Sequence, residues 1–300
     1  MKNFLIIGGL GFIGSYLTLK LTKNKNYKIT IIDNYSSINL LKIKDIKKNK
    51  NVKIIKKDYT KLSKKLLKNI TNKNTIIIHL AAVARVRKVT TNYTKEIYQK
   101  NIIGISDLIK NISDIDYHQF IFASTSSVYT ETKNGFNNEY DALGPLNHYG
   151  LSKAFGELLI KNKLSKYIIL RIFNVYGICK YDNPKKNNLL FNNLYENNFK
   201  LEGDGYQSRD FLYIDDLITA INKCIRINPN KETINIGSGI ACRIQDFISY
   251  YFKTNKKIER SEIKRNESYL TRANISKAKN ILDWKPKSNL INKLNELSKK

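Results

Sequence analysis

The chain has 300 residues, 42% hydrophobic and 26% charged, which supports one large α/β unit or two domains sharing an interface. Its 53 lysines and arginines exceed its 25 aspartates and glutamates, giving a formal net charge of +28. The cations are spread along the whole length without a zinc spacing, RNP motif or basic-region heptad, so the pattern favours a solvated lysine-rich surface over a nucleic-acid-binding protein.

Short apolar runs alternate with amphipathic stretches over the first two-thirds of the chain. The predicted strands are 4–8, 28–33, 52–55, 75–80, 119–124 and 167–173, and the predicted helices are 12–23, 61–70, 94–112 and 149–164. Strands interleaved with helices imply right-handed crossovers and a parallel sheet buried on both faces. The sequence therefore predicts a Rossmann-type doubly wound α/β fold.

After residue 174 this alternation loosens into a polar, asparagine-rich stretch. The segments GDGYQSRDFLYIDD (203–216) and ETINIGSG (232–239) follow, and then a C-terminal helical region. We predict a nucleotide-binding domain over 1–174, to which segments near 211–239 return. Residues 175–300 then form mainly a smaller substrate-binding lobe.

The most informative local motif is GGLGFIG (8–14), which directly follows the first strand and opens the first helix. Glycines at three-residue spacing allow a tight bend, a close approach of backbone N–H groups to a pyrophosphate, and close packing of helix on strand. Asp33 ends the second strand, where a carboxylate accepts hydrogen bonds from ribose hydroxyls and repels a 2′-phosphate. The sequence therefore predicts NAD as cofactor, with Asp58 at the end of the third strand as a candidate adenine contact.

Cysteines and histidines give no sign of a metal site or a disulfide. Cys179, Cys224 and Cys242 lack paired spacing, and the histidines lie far apart in sequence. We expect reduced thiols, no bound metal and a cytoplasmic location. No apolar run approaches membrane-spanning length, so no membrane segment is predicted.

A possible acid–base pair lies in NHYGLSKA (147–154), where Tyr149 and Lys153 share one face of a helix. A lysine beside a phenol favours the phenolate by charge attraction. The same spacing recurs at Tyr16/Lys20, Tyr129/Lys133, Tyr176/Lys180 and Tyr181/Lys185, so spacing alone does not select a pair.

Taken in order, the motifs resemble the extended short-chain dehydrogenases/reductases, in the NAD-dependent sugar-nucleotide epimerase/dehydratase branch, and are most similar in pattern to UDP-hexose 4-epimerases. The resemblance covers nearly the whole chain. It is carried by GGLGFIG, HLAA (79–82), ASTSSVY (123–129), YGLSK (149–153), RIFNVYG (171–177), GDGYQSRDF (203–211), NIGSG (235–239) and ANISKAKNILDWKP (273–286).

The resemblance implies roles for three catalytic residues. Tyr149 takes and returns the proton of the sugar 4-hydroxyl, and Thr125 binds the 4-oxygen. Lys153 holds the nicotinamide ribose and lowers the pKa of Tyr149. The implied reaction is epimerisation at C4 of a UDP-hexose through a transient 4-keto intermediate.

The same resemblance implies two sets of binding residues. For NAD they are Gly8, Gly11, Phe12, Ile13, Gly14, Asp33, Asn34, Asp58, Leu80, Ala81, Ala82, Asn101 and Lys153. For the substrate they are Ser124, Thr125, Ser126, Tyr149, Asn174, Asn188, Arg209, Glu267 and Thr271. Arg209 is the expected diphosphate partner, because a guanidinium matches phosphate oxygens.

Two departures bear on the reaction and the sugar. Dehydratases of this branch follow the catalytic threonine with Asp-Glu, whereas this chain has Ser126 and Ser127, and hydroxyls do not replace a carboxylate pair in proton transfer near pH 7. In the 4-epimerases that the chain resembles, a position just before the C-terminal signature guards the sugar 2-substituent. That position falls near Thr271, which is small, so the resemblance predicts a pocket that admits UDP-N-acetylhexosamines.

Three alternatives remain at this point. A uronate epimerase or keto-sugar reductase of the same family is one, and Arg85 and Arg87 are candidate partners for a sugar carboxylate. A non-catalytic NAD-binding regulator is another, although such a protein is expected to lack the Tyr, Lys or Thr. A basic nucleic-acid-binding protein is the third. By resemblance we also expect a homodimer formed through helices 94–112 and 149–164.

Overall fold

The structure is a computed structural model that describes residues 2–36, 40–84, 90–132, 134–177, 200–252, 259–261 and 268–298. The strands are β1 (Asn3–Ile7), β2 (Lys28–Asp33), β3 (Val52–Lys56), β4 (Thr75–His79), β5 (Gln119–Thr125), β6 (Tyr167–Ile172), β7 (Asn174–Tyr176), β8 (Lys200–Glu202), β9 (Ser208–Tyr213), β10 (Glu232–Ile236), β11 (Ala241–Arg243) and β12 (Glu259–Ser261). The α-helices are α1 (Phe12–Leu21), α2 (Leu40–Lys47), α3 (Lys64–Ile70), α4 (Thr91–Ile97), α5 (Ile105–Ile112), α6 (His148–Lys163), α7 (Ile214–Ile227), α8 (Ile244–Phe252), α9 (Ser276–Leu282) and α10 (Leu290–Leu297).

Seven parallel strands form the main sheet in the order β10-β6-β5-β4-β1-β2-β3, which confirms the Rossmann-type α/β prediction. Successive side chains of a strand point to opposite faces. Phe4 and Ile6 of β1 accordingly enter the core on one face, and Leu5 and Ile7 enter the core on the other. The strand order reverses direction between β1 and β4, and such a switch point opens a crevice at the carboxyl ends of the strands.

Two smaller sheets lie outside the main sheet. β7, β9 and β11 form a three-stranded sheet, and β8 pairs with β12. Aromatic residues of these strands pack with helices α8 and α10, as in the stacked rings of Phe211 and Phe247, whose centroids are 4.0 Å apart. The chain then returns to the main sheet, because α7 packs against α1 and β10 pairs with β6.

The helices differ from the sequence expectation in four places. The predicted helix 94–112 is α4 and α5 joined by a π-helical turn, Tyr98–Gly104. The predicted helix 61–70 begins at Lys64, because the Ser63 hydroxyl accepts from Leu66 N and caps it there. Helices α2 and α7 were not predicted, although Asp215 and Asp216 in the first turn of α7 suit a helix N-terminus. Among the described residues, no helix is both long and apolar enough to cross a membrane.

Candidate active site

The turn between β1 and α1 depends on glycine at two positions. Gly8 has φ +81°, in the left-handed region that favours glycine. At Gly14 an added Cβ would lie 2.2 Å from the Gly8 carbonyl oxygen and 2.7 Å from the Gly9 Cα, so α1 approaches the turn more closely than any side chain permits. The first N–H groups of α1 therefore face the carboxyl end of β1.

A cleft opens beyond this turn at the carboxyl ends of β1, β2 and β4. Seven of the residues predicted to bind the cofactor line it: Gly8, Gly11, Asp33, Asn34, Leu80, Ala81 and Ala82. Ile7, Ile32, Ser36, Lys57, Tyr59, Val83 and Lys100 also line it and were not predicted. The glycine turn thus meets the ends of two further strands, the arrangement that a dinucleotide-binding crevice requires.

Asp33 is held at the edge of the cleft by the backbone of two turns. Its Oδ2 accepts from Leu10 N at 3.0 Å and its Oδ1 from Tyr35 N at 2.9 Å, so the carboxylate orientation is fixed. Asp58 lies behind Asn34, whose Nδ2 donates to it at 3.0 Å. Burial raises the pKa of Asp58, but hydrogen bonds from Asn34 and Thr60 outweigh this effect and lower it.

Three other residues predicted to bind the cofactor, Phe12, Ile13 and Asn101, pack next to the cleft. The side chains of Phe12 and Ile13 pack against the core beside α1. The Asn101 side chain accepts from Val83 N at 2.9 Å and donates to Val83 O at 3.0 Å and to Ser152 Oγ at 3.2 Å. Asn101 therefore ties the loop after β4 to helix α6, which carries Tyr149 and Lys153.

Helix α6 brings Tyr149 to the end of β5. Asn147 caps the helix by accepting from Gly150 N at 2.8 Å. An added Cβ on Gly150 would lie 2.1 Å from Ser127 O, so only glycine allows the helix to begin so close to the turn after β5. The Tyr149 phenol lies beside the Thr125 hydroxyl, whose interaction with it favours the phenolate and lowers the pKa of Tyr149.

The protonation states of the pair differ from the sequence expectation. Burial raises the pKa of Tyr149 to about 12, against the lowering effect of the Thr125 hydrogen bond. Lys153 is buried and donates to Ala123 O at 2.7 Å, and burial lowers its pKa to about 7. The protein alone therefore holds Tyr149 as a neutral phenol at neutral pH, and the expected lowering of its pKa by Lys153 does not appear.

A second, polar cleft lies beside Thr125. It is lined by Ser126, Ser127, Tyr129, Leu146, Asn147, Asn174, Arg209, Ser268 and Thr271. Four of the predicted substrate residues, Ser126, Asn174, Arg209 and Thr271, thus come together from distant parts of the sequence. Among the described residues that line this cleft, Arg209 is the one cation.

The hydrogen bonding of two side chains in this cleft, Arg209 and Thr271, bears on ligand binding. Arg209 Nη1 donates to Ser208 O at 3.0 Å and Tyr269 O at 3.2 Å, which fixes the guanidinium along the chain at 268–271. The Thr271 hydroxyl is buried and has no hydrogen-bond partner within the described residues. Because a buried hydroxyl without a partner is costly, a ligand polar atom in the cleft would satisfy it.

Other predicted site residues lie elsewhere. Ser124 turns its hydroxyl away from the cleft and donates to Glu157 Oε1 at 2.5 Å. Asn188 and Glu267, and also Arg85 and Arg87, lie outside the described residues. Of the competing tyrosines, Tyr129 donates to Asn235 Oδ1 at 2.7 Å in the interior, and Tyr16 lies in α1.

Asp210 is a key residue that sequence reasoning missed. It is fully buried and accepts from Ser238 N, Ser238 Oγ, Gly239 N and Ala273 N at 2.6–3.0 Å. Its hydrogen bonds thereby hold the SRDF, NIGSG and ANIS segments together next to Arg209. A carboxylate inside GDGYQSRDF was the available signal, but only the fold shows which N–H groups it accepts from.

A second missed feature is the buried ion pair of Glu157 and Arg171. Arg171 Nη2 lies 2.8 Å from Glu157 Oε2, and both side chains are at most 2% exposed. The signals were an arginine inside the apolar run YIILRIF and a glutamate one helical turn after Lys153. In the described part of the chain, no group of three His, Cys, Asp or Glu residues is placed to hold a metal ion.

Comparisons with known proteins agree with this geometry. The model of the NAD dependent epimerase/dehydratase family matches residues 4–237. The uncharacterized UDP-glucose epimerase YtcB of Bacillus subtilis is 31% identical over 301 residues, covering 96% of this chain and 94% of that protein.

Two solved structures extend the comparison to bound ligands. A UDP-glucuronic acid 4-epimerase from Bacillus cereus, in complex with UDP-glucuronic acid and NAD, superposes with a TM-score of 0.87 at 32% identity, covering 99% of this chain and 98% of its own. A UDP-N-acetylglucosamine 4-epimerase from Methanobrevibacter ruminantium M1, in complex with UDP-N-acetylmuramic acid, has a TM-score of 0.83 at 27% identity, covering 99% and 97%.

Proposed function

The chain belongs to the NAD dependent epimerase/dehydratase family, and we propose that it epimerises a UDP-hexose at C4 through a transient 4-keto sugar. The observation that carries this proposal is the pairing of the Tyr149 phenol with the Thr125 hydroxyl, next to Ser126 and Asn147 of the polar cleft. It sets a phenol and a hydroxyl at one point, as removal and return of a sugar hydroxyl proton require.

NAD is the cofactor, and the residues of the first cleft fit it. The Gly8 to Gly14 turn suits a pyrophosphate because the absence of a Cβ at Gly14 lets α1 pack directly on the turn, with the N-terminus of the helix at the cleft. Asp33, whose carboxylate is held by Leu10 N and Tyr35 N, faces the cleft as an acceptor for ribose hydroxyls. Bound NAD supplies hydride acceptance at the sugar C4 and hydride return to the opposite face.

The protein contributes proton handling at the 4-oxygen. Tyr149 takes the proton from the 4-hydroxyl and later returns it, while Thr125 hydrogen-bonds the 4-oxygen. Because the pKa of Tyr149 is raised to about 12 in the protein alone, formation of the phenolate depends on added positive charge. Lys153 is placed to supply part of that charge whenever its amine is protonated.

Two serines favour epimerisation over dehydration. Ser126 and Ser127 line the polar cleft directly after Thr125. Loss of water from a sugar requires an acid and a base near neutral pH, and neither hydroxyl has a suitable pKa. The 4-keto sugar is therefore reduced again rather than dehydrated.

Arg209 and Thr271 support a UDP-sugar in the polar cleft. The fixed Arg209 guanidinium suits a diphosphate. Thr271 is small, and its hydroxyl, which has no partner among the described residues, suits the carbonyl of a 2-acetamido group. The proposed substrates thus include UDP-N-acetylhexosamines as well as UDP-glucose and UDP-galactose.

A uronate 4-epimerase is the second candidate. It is favoured by the similarity to the Bacillus cereus enzyme solved with UDP-glucuronic acid. A uronate carboxylate is stabilised by a further cation or by hydroxyl and N–H donors such as those of Ser126 and Ser127. Arg209 is the single cation among the described lining residues, so a second cation would come from outside them, where Arg85 and Arg87 are the candidates taken from the sequence.

We also propose a homodimer formed through α6 and the helical segment 94–112, which contains the π-helical turn Tyr98–Gly104. Leu151, Phe155 and Leu158 recur on one face of α6 and are 46%, 36% and 61% exposed. Tyr98 and Ile103 extend this apolar face. Sedimentation of the protein and of Leu158→Lys tests it: the dimer is expected to become a monomer in the variant, whereas a monomeric parent protein contradicts the proposal.

A panel of UDP-sugars, incubated with protein and NAD without added reductant, tests the reaction. NMR of the products is expected to show interconversion at C4 of UDP-glucose and UDP-galactose or of the N-acetylated pair. Interconversion confined to UDP-glucuronate supports the second candidate. A stable 4-keto-6-deoxy product contradicts the argument from Ser126 and Ser127.

A further inference from the structure

Glu157 lies at the centre of a buried polar network behind the proposed active site. Its side chain is fully buried and accepts from Arg171 Nε at 3.0 Å, Arg171 Nη2 at 2.8 Å and Ser124 Oγ at 2.5 Å. Arg171 Nη1 continues the network to the Tyr129 hydroxyl at 2.9 Å. None of the roles assigned above uses this carboxylate.

The network reaches the reacting groups through strand β5. Ser124, which Glu157 holds, stands between Ala123 and Thr125. The Ala123 carbonyl accepts from Lys153 Nζ, and the Thr125 hydroxyl interacts with the Tyr149 phenol. One carboxylate therefore fixes the strand end that positions both partners of the catalytic helix.

The same carboxylate acts on Lys153 by charge. Lys153 is one helical turn before Glu157 and is 3% exposed, and burial lowers its pKa to about 7 while Glu157 raises it. From β4, His79 faces Lys153 as a neutral ring, because burial and the Lys153 charge lower the pKa of His79 to about 3. From β6, Arg171 pairs with Glu157 at 2.8 Å, and on α6 the partly exposed Lys161 lies 4.0 Å from the same carboxylate. Tyr149 precedes Lys153 on α6 as a neutral phenol.

We propose, on the basis of the function proposed above, that Glu157 is a positioning residue that keeps Lys153 charged at working pH. Arg171 sets how much of the Glu157 charge Lys153 experiences. Through Ser124, Glu157 also holds the end of β5 in register with α6. The ion pair thus adjusts the charge beside Tyr149 without contacting substrate or NAD.

Two substitutions should move the Lys153 pKa in opposite directions. Glu157→Gln removes the favourable charge and leaves Arg171 unneutralised, so the Lys153 pKa falls by about one unit or more. Arg171→Met leaves Lys161, whose Nζ lies 4.0 Å from Glu157 Oε2, as the remaining cation beside Glu157, so Lys153 experiences more of the Glu157 charge and its pKa rises. A purely structural pair would weaken the fold in both variants without this change of sign.

The measurement is a pH titration of the NAD-bound protein carrying ¹³Cε-lysine, followed by NMR. The Lys153 signal is assigned by its disappearance in Lys153→Arg. This readout does not depend on turnover, so failure of the proposed reaction and failure of this inference give different results. The alkaline fall of turnover is expected to follow the NMR pKa, moving to lower pH in Glu157→Gln and to higher pH in Arg171→Met.

The double variant Glu157→Gln/Arg171→Met guards against misfolding, because it removes both charges of the buried ion pair together. Its Lys153 pKa is expected between those of Glu157→Gln and the parent protein. Asp114→Asn is the matched control, since it removes a carboxylate from an exposed pair with Lys64 at 2.7 Å and should leave the Lys153 pKa unchanged. Equal Lys153 pKa values in the parent, the double variant and Arg171→Met would overturn the proposal.

Discussion

The two clefts of this protein are built in different ways. The cofactor cleft comes mainly from short segments at adjacent strand ends, and its shape depends on backbone geometry at Gly8 and Gly14. The polar cleft gathers side chains from five separate stretches between Ser126 and Thr271. The first should therefore be sensitive to an added Cβ, and the second to the identity of single side chains.

Tyr149, beside the polar cleft, should give the largest effect. Tyr149→Phe removes the proton donor and acceptor and is expected to lower turnover by about 10³-fold or more while leaving NAD binding unchanged. Steady-state assays and NAD titration measure the two effects. Tyr16→Phe, which alters the tyrosine of an equally spaced pair in α1, is the control and should keep full turnover; full activity of Tyr149→Phe would remove its proposed role.

Substitutions in the glycine turn test whether the cofactor cleft depends on close backbone packing. Gly14→Ala brings a methyl group within 2.2 Å of Gly8 O, so the NAD-free protein should lose about 3 kcal/mol of unfolding free energy. At Gly11 the same Cβ meets Gly8 O at 3.4 Å, an ordinary contact, so Gly11→Ala should lose far less. Urea denaturation measures both, and equal losses would show that the close approach at Gly14 is unimportant.

Asp33 is the side chain on which the cofactor cleft most depends. Asp33→Asn replaces one carboxylate oxygen by an amide that donates, which opposes Leu10 N or Tyr35 N and weakens acceptance from ribose hydroxyls. NAD affinity is expected to fall about 10-fold or more, by calorimetric titration. Asp45→Asn, in an exposed pair with Lys48, should leave the affinity unchanged, and an unaltered affinity in Asp33→Asn would argue against ribose binding.

Substitution of Thr271 should give the smallest effect on activity, and it tests whether single side chains of the polar cleft determine which sugar is used. Thr271→Tyr fills the space proposed for a 2-acetamido group, so the ratio of kcat/KM for UDP-N-acetylglucosamine over UDP-glucose should fall about 10-fold. Thr271→Ser keeps a small hydroxyl side chain and should preserve the ratio. A strong preference for UDP-glucose that Thr271→Tyr leaves unchanged would contradict this role.

The difference between the clefts also explains what the sequence revealed. The strands of the main sheet and the glycine turn are local patterns, so their positions were predicted closely. Asp210 and Glu157 act through partners 28 to 63 residues away and 14 to 33 residues away, respectively, and no local pattern specifies those contacts. Helix α7 was missed because its first residues were interpreted only as the end of a substrate-lobe motif.

The charge state of the catalytic pair was the other feature that spacing did not reveal. The i, i+4 spacing of Tyr149 and Lys153 correctly predicted a shared helix. It did not show that Lys153 is buried against Ala123 O and Phe122, where desolvation lowers its own pKa. Burial depends on packing between α6 and β5, which the pair itself does not encode.

The most direct test of the proposed reaction uses UDP-glucose that carries deuterium at C4. The protein is incubated with this substrate and NAD, and the UDP-galactose formed is analysed by NMR and mass spectrometry. Hydrogen removed and returned at the same carbon predicts product that retains deuterium at C4, in normal water. Product that has lost the label to solvent, or an absence of C4 epimer from every UDP-sugar tested, would contradict the account.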